Sequence, residues 1–321
     1  MISTHFPDHL WSIVLAGGAG GRTDHLIEQR IRDPLPAQYC TFTGTRSMLQ
    51  HTWDRARQVT SPAQQITVVA SQHRRQAFAQ AGHKDTGKIL PQPLNCDTAV
   101  GMFLPLTYIR AQNPHATVVV FPSDHFVFPE ERFIQTVQQA VQATRLLEDR
   151  IILVGVPPTS LELDYGWIEI GGPLGWSSGL CIRRVHGFFE KPQILKGLHA
   201  LSNRALWNTG ILAAKAETLW RLGWKCLPEV MEQFQRLERV IGTSEEERVL
   251  ESIYHEMPKK NLSSDLLAHI PESMGVIELK DVLWSDWGKS ERVTEILQAL
   301  GKEPVFSYEL TQAPDPVEAM A

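Results

Sequence analysis

Apolar positions in the first half of the chain occur in short continuous runs, and segments with helical spacing separate the runs. The runs predict strands at Trp11–Ala16, Gln65–Ala70, Lys88–Leu90, Thr117–Phe121 and Arg150–Gly155. The segments between them predict helices at Ser47–Gln58, Ser71–Ala81, Asp97–Gln112 and Glu130–Leu147. Because these strands are apolar throughout rather than in alternation, they are typical of a parallel sheet that helices cover on both faces.

From Tyr165 onward the predicted strands become longer and partly antiparallel. They are Tyr165–Ile170, Leu180–Phe189, Trp207–Ala214, Val276–Leu279 and Leu283–Trp284. Helices are predicted near Pro192–Leu201 and at Ala216–Leu222, Leu227–Val240, Ser244–His255 and Ser290–Leu300. Ser244 followed by three glutamates predicts a capping box at the start of its helix. There is no internal repeat, and the Pro-rich, polar residues from Thr311 onward are predicted to be loose.

Composition narrows the classes of protein that fit. The chain has 321 residues, of which 43% are hydrophobic and 21% charged, as in soluble globular enzymes. Its net charge of −5 argues against a nucleic-acid binder, and the absence of a long apolar run argues against a membrane span. The four cysteines are scattered without a CxxC pair, and the N-terminal residues lack the layout of a signal peptide. We therefore expect a cytoplasmic protein.

A glycine-rich segment, LAGGAGGR at Leu15–Arg22, directly follows the first predicted strand. Closely spaced glycines let the backbone turn tightly and direct several N–H groups at phosphate oxygens, and the guanidinium of Arg22 suits a polyphosphate. The segment is neither a dinucleotide fingerprint, because Thr23 stands at the third glycine position, nor a Walker A loop. A strand-to-helix turn that requires small residues is the alternative. The GxxxxGK match at Gly82–Lys88 is rejected, because a predicted helix precedes it and Ile89 follows it.

Two carboxylates follow predicted strands and are candidates for a metal site. Asp124 ends an apolar strand in FPSDH (Phe121–His125), and Asp286 follows a short strand in WSDWG (Trp284–Gly288). Ligands collect at the carboxyl ends of parallel strands, and carboxylates together with phosphate oxygens suit Mg²⁺. A cap on the following loop is the alternative role for Asp124. His125 is expected to be structural, since no nucleophile pattern accompanies it.

Eight motifs between about Ile13 and Val293 together resemble the sugar-1-phosphate nucleotidyltransferases, most closely the mannose-1-phosphate guanylyltransferase group. In addition to LAGGAGGR, FPSDH and WSDWG they are TAVGM (Thr98–Met102), YGWIE (Tyr165–Glu169), FFEKP (Phe188–Pro192), WNTGI (Trp207–Ile211) and SSDLL (Ser263–Leu267). The resemblance implies an α/β protein with a Rossmann-like, GT-A-like three-layer α/β/α fold and a mostly parallel central sheet. Sugar-binding strands would be inserted in its second half. One domain would span residues 1–300, with a nucleotide-binding half to about 160, a sugar-binding half over 161–300 and a C-terminal extension over 301–321.

The resemblance also implies roles for single residues. Nucleotide binding is implied for Ala16, Gly17, Gly18, Gly20, Gly21, Arg22, Thr98 and Ser123. Sugar binding is implied for Gly166, Glu169, Glu190, Lys191 and Asn208. Asp124 and Asp286 would hold Mg²⁺ and act in catalysis with Arg22 and Lys191. The implied partners are a nucleoside triphosphate and a sugar 1-phosphate, with no nucleic acid and no membrane, and a homo-oligomer is a candidate assembly.

The implied reaction needs no nucleophilic side chain. A phosphate oxygen of the sugar 1-phosphate attacks the α-phosphate of the nucleotide in line and expels pyrophosphate. Because this nucleophile is already an anion, positioning and charge neutralisation supply the catalysis.

Two departures from the family pattern leave two hypotheses open. The family has Pro-Lys-Gln-Phe where this chain has Pro36-Ala37-Gln38-Tyr39, so the lysine that reaches the phosphates is absent here. Arg30 or Arg32 is a candidate to supply the missing positive charge. Cys96 and Asp97 replace an arginine and an asparagine near the nucleotide. The first hypothesis is an enzyme that forms a nucleotide sugar, GDP-mannose or a relative. The second is a weak or inactive homologue that binds nucleotide or nucleotide sugar as a sensor or partner subunit.

Two smaller features receive structural interpretations. Lys259-Lys260 is interpreted as a solvated turn, and the amphipathic segment Leu227–Leu237 as part of the core rather than a partner surface. In the sequence, the choice of base and of hexose is implied by the resemblance alone.

Overall fold

The strands of the computed structural model, which describes residues 9–18, 35–82 and 86–302, form a nine-stranded sheet and a two-stranded ribbon. The strands are β1 (Leu10–Ala16), β2 (Gln65–Ala70), β3 (Lys88–Gln92), β4 (Thr117–Pro122), β5 (His125–Phe128), β6 (Ile151–Val156), β7 (Gly166–Ser177), β8 (Leu180–Glu190), β9 (Leu206–Lys215), β10 (Met274–Glu278) and β11 (Leu283–Asp286). The order in the sheet is β3-β2-β1-β4-β9-β6-β10-β8-β7, and β5 pairs with β11 in the ribbon. Within the described residues only β8 and β9 run against the other strands of the sheet, so the predicted mostly parallel sheet is confirmed.

Helices cover both faces of this sheet. They are α1 (Met48–Arg57), α2 (Arg74–Ala81), α3 (Asp97–Gln112), α4 (Glu130–Leu146), α5 (Ile194–Ser202), α6 (Ala216–Cys226), α7 (Pro228–Glu238), α8 (Glu246–Glu256), α9 (Leu262–Asp265) and α10 (Ser290–Ala299). The buried side chains of α1 and α4 belong to one hydrophobic cluster, and those of α3, α6 and α7 belong to a second cluster. This arrangement confirms the predicted three-layer α/β/α architecture.

The central strands are apolar throughout because both of their faces are buried. Along β1, Leu10 and Val14 join the first cluster, while Trp11 and Ile13 join the second. The same division holds along β4 and β6. Since neighbouring side chains of a strand point to opposite faces, a strand between two helix layers buries every position.

One prediction about helix ends is wrong. Ser244 does not cap α8, which begins at Glu246 without a side-chain cap from the preceding residue. Instead, the hydroxyl of Thr243 accepts from the backbone N–H of Glu245, and the N–H of Gly242 donates to Glu246 at 2.6 Å. The side chains near this helix start therefore bind N–H groups that precede the helix, and no side chain of the preceding residue caps its first turn.

The ribbon is the element that the sequence least reveals. β5 has four residues and was not predicted, and β7 extends seven residues beyond its predicted end at Ile170, through register shifts in its pairing with β8.

The interpretation of the amphipathic segment Leu227–Leu237 as part of the core is confirmed, because Val230, Phe234 and Leu237 are fully buried. No helix in the described ranges is both long enough and apolar enough to cross a membrane.

Candidate active site

A cleft of about 490 Å³ opens at the carboxyl ends of the parallel strands. Ends of parallel strands meet at one edge of a sheet, which explains why residues distant in sequence converge there. The lining residues come from β1 to β4 and the segments that follow β1, β3 and β4, from α3, from β9 and from the region around the start of α9. They are Leu15, Gly17, Gly18, Val68, Gln92, Asn95, Asp97, Thr98, Gly101, Pro122, Asp124, Gly210, Lys259, Leu262 and Ser263. The cleft thus combines the predicted glycine segment, one of the two predicted carboxylates and Thr98.

Side chains hold the described part of the glycine segment in place. Gln38 Nε2 donates to the carbonyl oxygens of Ala16 and Gly18 at 3.2 and 3.0 Å, and Gln92 Nε2 donates to that of Gly17 at 3.4 Å. A Cβ at Gly17 would lie 2.7 Å from Gln92 Nε2, so a larger residue at this position would displace the Gln92 side chain. Gln38 is itself buried and escaped the sequence analysis, in which only its neighbour Ala37 was considered.

Three predicted nucleotide-binding residues and the two candidate replacement arginines lie outside the described residues. They are Gly20, Gly21 and Arg22, together with Arg30 and Arg32. Ser123 is buried, and its hydroxyl donates to the carbonyl oxygen of Leu15 at 2.8 Å. The Ser123 side chain therefore holds the end of β1 in place and does not line the cleft. Ala16 is also buried and does not line the cleft.

The start of α3 forms one wall of the cleft. Asp97, which replaces a family asparagine, adopts a left-handed backbone with φ 72°. Its carboxylate accepts from the backbone N–H of Thr98 at 2.6 Å and from Asn261 Nδ2 at 3.1 Å. These two bonds hold the carboxylate of Asp97 against the wall of the cleft. Thr98 Oγ1 accepts from the N–H of Leu262 at 2.9 Å.

The ribbon brings the two predicted carboxylates together. His125 pairs with Asp286 across β5 and β11, and the N–H of Trp287 donates to the carbonyl oxygen of Asp124 at 2.8 Å. Asp124 lies at the cleft with 40% of its side-chain surface exposed. Desolvation and the neighbouring charge of Asp286 raise the pKa of Asp124 to about 6. Two carboxylates in such proximity repel each other, and a divalent cation would relieve that repulsion.

Asp286 is oriented by residues that the sequence analysis missed. Its Oδ1 accepts from the hydroxyl of Tyr165 at 3.1 Å and pairs with Arg292. Arg292 also pairs with Glu162 at 2.8 Å and lies 4.1 Å above the ring of Tyr165. Both bonds are made by Oδ1, so Oδ2 is the Asp286 oxygen available to a metal ion. Glu162 and Arg292 are 130 residues apart in sequence, so no local motif reveals their pairing.

His125 has the structural environment that the sequence predicted. It is buried, its Nδ1 lies 3.4 Å from Trp284 Nε1, and its backbone carbonyl accepts from Arg55 at 2.8 Å. Burial, with a smaller contribution from the charge of Arg55, lowers the pKa of His125 to about 3. The imidazole is therefore neutral at physiological pH.

The predicted sugar-binding residues separate into two groups. Gly166 pairs with Glu190 across β7 and β8, and a Cβ at Gly166 would lie 2.7 Å from Glu190 Oε2 and 3.3 Å from the Cβ of Asn208. Gly166, Glu190 and Asn208 therefore converge. Burial raises the pKa of Glu190, while the charge of Lys191 opposes that change. Lys191 is exposed and has a left-handed backbone with φ 45°.

Glu169 is not brought to this group. It pairs with Gly187, three positions from the Gly166–Glu190 pair, and no register shift intervenes. Because side chains alternate along a strand, Glu169 points to the face opposite Glu190.

Lys259 is exposed, as the interpretation of Lys259-Lys260 as solvated predicted, and it also lines the cleft. The second lysine, Lys260, does turn away, and its Nζ lies 3.7 Å from the carboxylate of Asp265.

Comparison with known proteins identifies relatives of this chain. The chain is 29% identical over 210 residues to a mannose-1-phosphate guanylyltransferase of Salmonella montevideo, covering 64% of this chain and 43% of that protein. It is 22% identical over 290 residues to the Escherichia coli protein of the same name, covering 88% and 61%. The chain thus spans about half the length of these curated relatives.

A solved structure shares the fold over most of the chain. The crystal structure described as a mannose-1-phosphate geranyltransferase from Thermus thermophilus superposes with a TM-score of 0.74 at 25% identity, covering 87% of this chain and 76% of that one. The sequence profile described as "Nucleotidyl transferase" matches residues 11–303. Because this match spans most of the chain, the chain belongs to the nucleotidyl transferase family.

Proposed function

We propose that the protein transfers a nucleotidyl group from a nucleoside triphosphate to a hexose 1-phosphate, with GTP and mannose 1-phosphate as the expected pair. The observation that carries this proposal is the convergence at one cleft of Gly17 and Gly18, Asp124 and the nearby Asp286. Gly166, Glu190 and Asn208 form a second polar group suited to sugar hydroxyls. The named relatives support the choice of the substrate pair.

The chemistry assigns a task to each group. A phosphate oxygen of the sugar 1-phosphate forms a bond to the α-phosphorus, and the bond from that phosphorus to the bridging oxygen breaks, so that pyrophosphate leaves with its electron pair. The backbone of Gly17 and Gly18 would hold the nucleotide phosphates close to the strand ends. Glu190 and Asn208 would orient the sugar, which places its phosphate for in-line attack.

Asp124 and Asp286 fit a magnesium ion. Two carboxylates provide the hard oxygen ligands that Mg²⁺ prefers, and the phosphates of the substrates can complete the coordination. Bound Mg²⁺ would neutralise phosphate charge during the transfer. Arg292 and Tyr165 would orient Asp286 by occupying its Oδ1.

The test is the release of pyrophosphate by the purified full chain with Mg²⁺, over four nucleoside triphosphates combined with several hexose 1-phosphates. We expect release with one preferred pair. Asp124→Asn should lower kcat by about 10²-fold, the scale of removing one electrostatic contributor from an active site. Asp149→Asn removes an equal charge from an exposed loop and should leave the rate unchanged.

The binding-module hypothesis is the alternative outcome of the same experiment. If folded protein releases no pyrophosphate with any pair but binds a nucleotide in calorimetry, the catalytic proposal is wrong and the binding function remains. If it neither reacts with nor binds any nucleotide or sugar phosphate, both are wrong.

A further inference from the structure

The cleft is lined by a cation, Lys259, that the sequence analysis did not assign to the site. Among its described lining residues the charged ones are Asp97, Asp124 and Lys259. Asp97 is held against the wall by Thr98 and Asn261. Lys259 has no ion-pair partner among the described residues, whereas Lys260 next to it lies 3.7 Å from Asp265. Lys259 is therefore a positive charge that faces the cleft and is not neutralised by the described part of the protein.

The backbone around Lys259 is anchored to the start of α3. The N–H of Lys260 donates to the carbonyl oxygen of Cys96 at 3.1 Å, and the N–H of Ala99 donates to that of Lys260 at 3.0 Å. The side chain of Asn261 joins the same contact through Asp97. These bonds fix the backbone next to Lys259 beside the cleft. Burial raises the pKa of the Cys96 thiol, and the nearby charge of Lys259 lowers it.

The substrates of the proposed reaction bring more negative charge than one divalent cation can balance. A nucleoside triphosphate and a sugar 1-phosphate both carry charged phosphoryl oxygens, and Ala37 supplies no cation. An ammonium group on a flexible stem suits charge that moves during a reaction, because its three donors can turn between phosphate oxygens.

We propose that the ammonium group of Lys259 binds phosphoryl oxygens of the substrates in this cleft, an inference that rests on the proposed function. It makes Lys259 a substrate-binding residue that contributes positive charge where the family lysine is absent. The neighbouring Lys260 has no such role, because its side chain leaves the cleft toward Asp265.

The test compares ligands with and without phosphate. Wild type, Lys259→Gln and Lys260→Gln are titrated in the full chain with GTP, guanosine, mannose 1-phosphate and mannose, in the presence of Mg²⁺. Loss of one charge-assisted hydrogen bond should weaken binding of a phosphate-bearing ligand about tenfold in Lys259→Gln. Guanosine and mannose should bind as to wild type, and Lys260→Gln should resemble wild type for all four ligands. A loss with GTP assigns Lys259 to the nucleotide phosphates, and a loss with mannose 1-phosphate assigns it to the sugar phosphate.

Lys259→Arg keeps the charge and should recover most of the affinity. Because both lysines are at least partly exposed, neither substitution should change Tm. The inference is overturned if Lys259→Gln and Lys260→Gln have equal affinity for GTP and for mannose 1-phosphate, or if guanosine and mannose weaken in parallel with their phosphates.

These outcomes remain distinct from failure of the proposed function. Product formation by wild type with unchanged affinities in Lys259→Gln removes Lys259 alone. Phosphate-dependent loss without any product keeps Lys259 and removes the reaction. If wild type binds no nucleoside triphosphate and no hexose 1-phosphate, both proposals are wrong.

Discussion

Substitution of Asp124 by asparagine should stabilise the metal-free protein at alkaline pH. Burial and Asp286 raise the pKa of Asp124 from 3.8 to about 6, so the folded protein favours the protonated carboxyl. The stabilising contribution of this proton is therefore complete below about pH 4 and is lost as the pH rises through 6. Asp124→Asn lacks the charge and escapes that loss.

The size of the effect follows from the pKa change. At 1.36 kcal/mol per pKa unit, the change corresponds to about 3 kcal/mol as an upper limit. Because 40% of the side chain is exposed, solvent screens much of this energy, and we expect about 1 kcal/mol. For a domain of this size that is a rise in Tm of about 2 °C.

The assay is thermal unfolding in a chelator at pH 8 and at pH 5, with Asp149→Asn as the control for loss of one exposed carboxylate. Asp124→Asn should have the higher Tm at pH 8, and its advantage should shrink at pH 5. Addition of Mg²⁺ at pH 8 should raise the Tm of wild type and leave that of Asp124→Asn nearly unchanged. Equal Tm changes in the two variants at pH 8 would refute like-charge repulsion at the ribbon.

Three further substitutions test the contacts around the cleft. Asp286→Asn should destabilise the protein, whereas Asp124→Asn stabilises it. Because the substitution weakens the ion pair with the largely buried Arg292, the free energy of unfolding should fall by about 1–3 kcal/mol. Chemical denaturation measures this change, and a gain in stability would contradict a stabilising Asp286–Arg292 pair. Gly166→Ala should raise KM for the sugar 1-phosphate about tenfold or more and change KM for the nucleotide little, because the added Cβ displaces Glu190. Equal changes of both KM values in steady-state kinetics would refute a sugar-binding role for this position. Gln38→Leu should lower the free energy of unfolding by about 1 kcal/mol and raise KM for the nucleotide, because the carbonyl oxygens of Ala16 and Gly18 lose their donor. An unchanged KM would show that the glycine segment keeps its shape without these two hydrogen bonds.

Local patterns predicted the fold well and the site in part. The apolar runs identified the central strands because burial on both faces leaves a signal in each strand by itself. The motifs at Gly17 and Asp124 were informative for a similar reason, since strand ends and loops are local features. Gln38, Lys259 and Arg292 were not found as site residues, because each acts on a partner brought near only by the folded chain.

Two details depend on pairing that a local pattern does not show. Gly166 and Glu169 are three positions apart on an extended strand and lie on opposite faces of it, which separates Glu169 from Glu190, and a sugar-binding role for Glu169 stays a prediction. The capping prediction at Ser244 is wrong, because the nearby Thr243 and Glu246 side chains instead accept from the N–H groups of Glu245 and Gly242, which precede the helix.

The ribbon of β5 and β11 also has a consequence for the synthesis of the protein. Its two strands are separated by more than 150 residues, so β5 has left the ribosome long before β11 exists. A nascent chain that ends before Leu283 contains Asp124 but neither Asp286 nor the strand that pairs with His125. The two-carboxylate site is therefore completed only after β11 has been synthesised, and a chain truncated before Leu283 could form much of the central sheet without assembling the site.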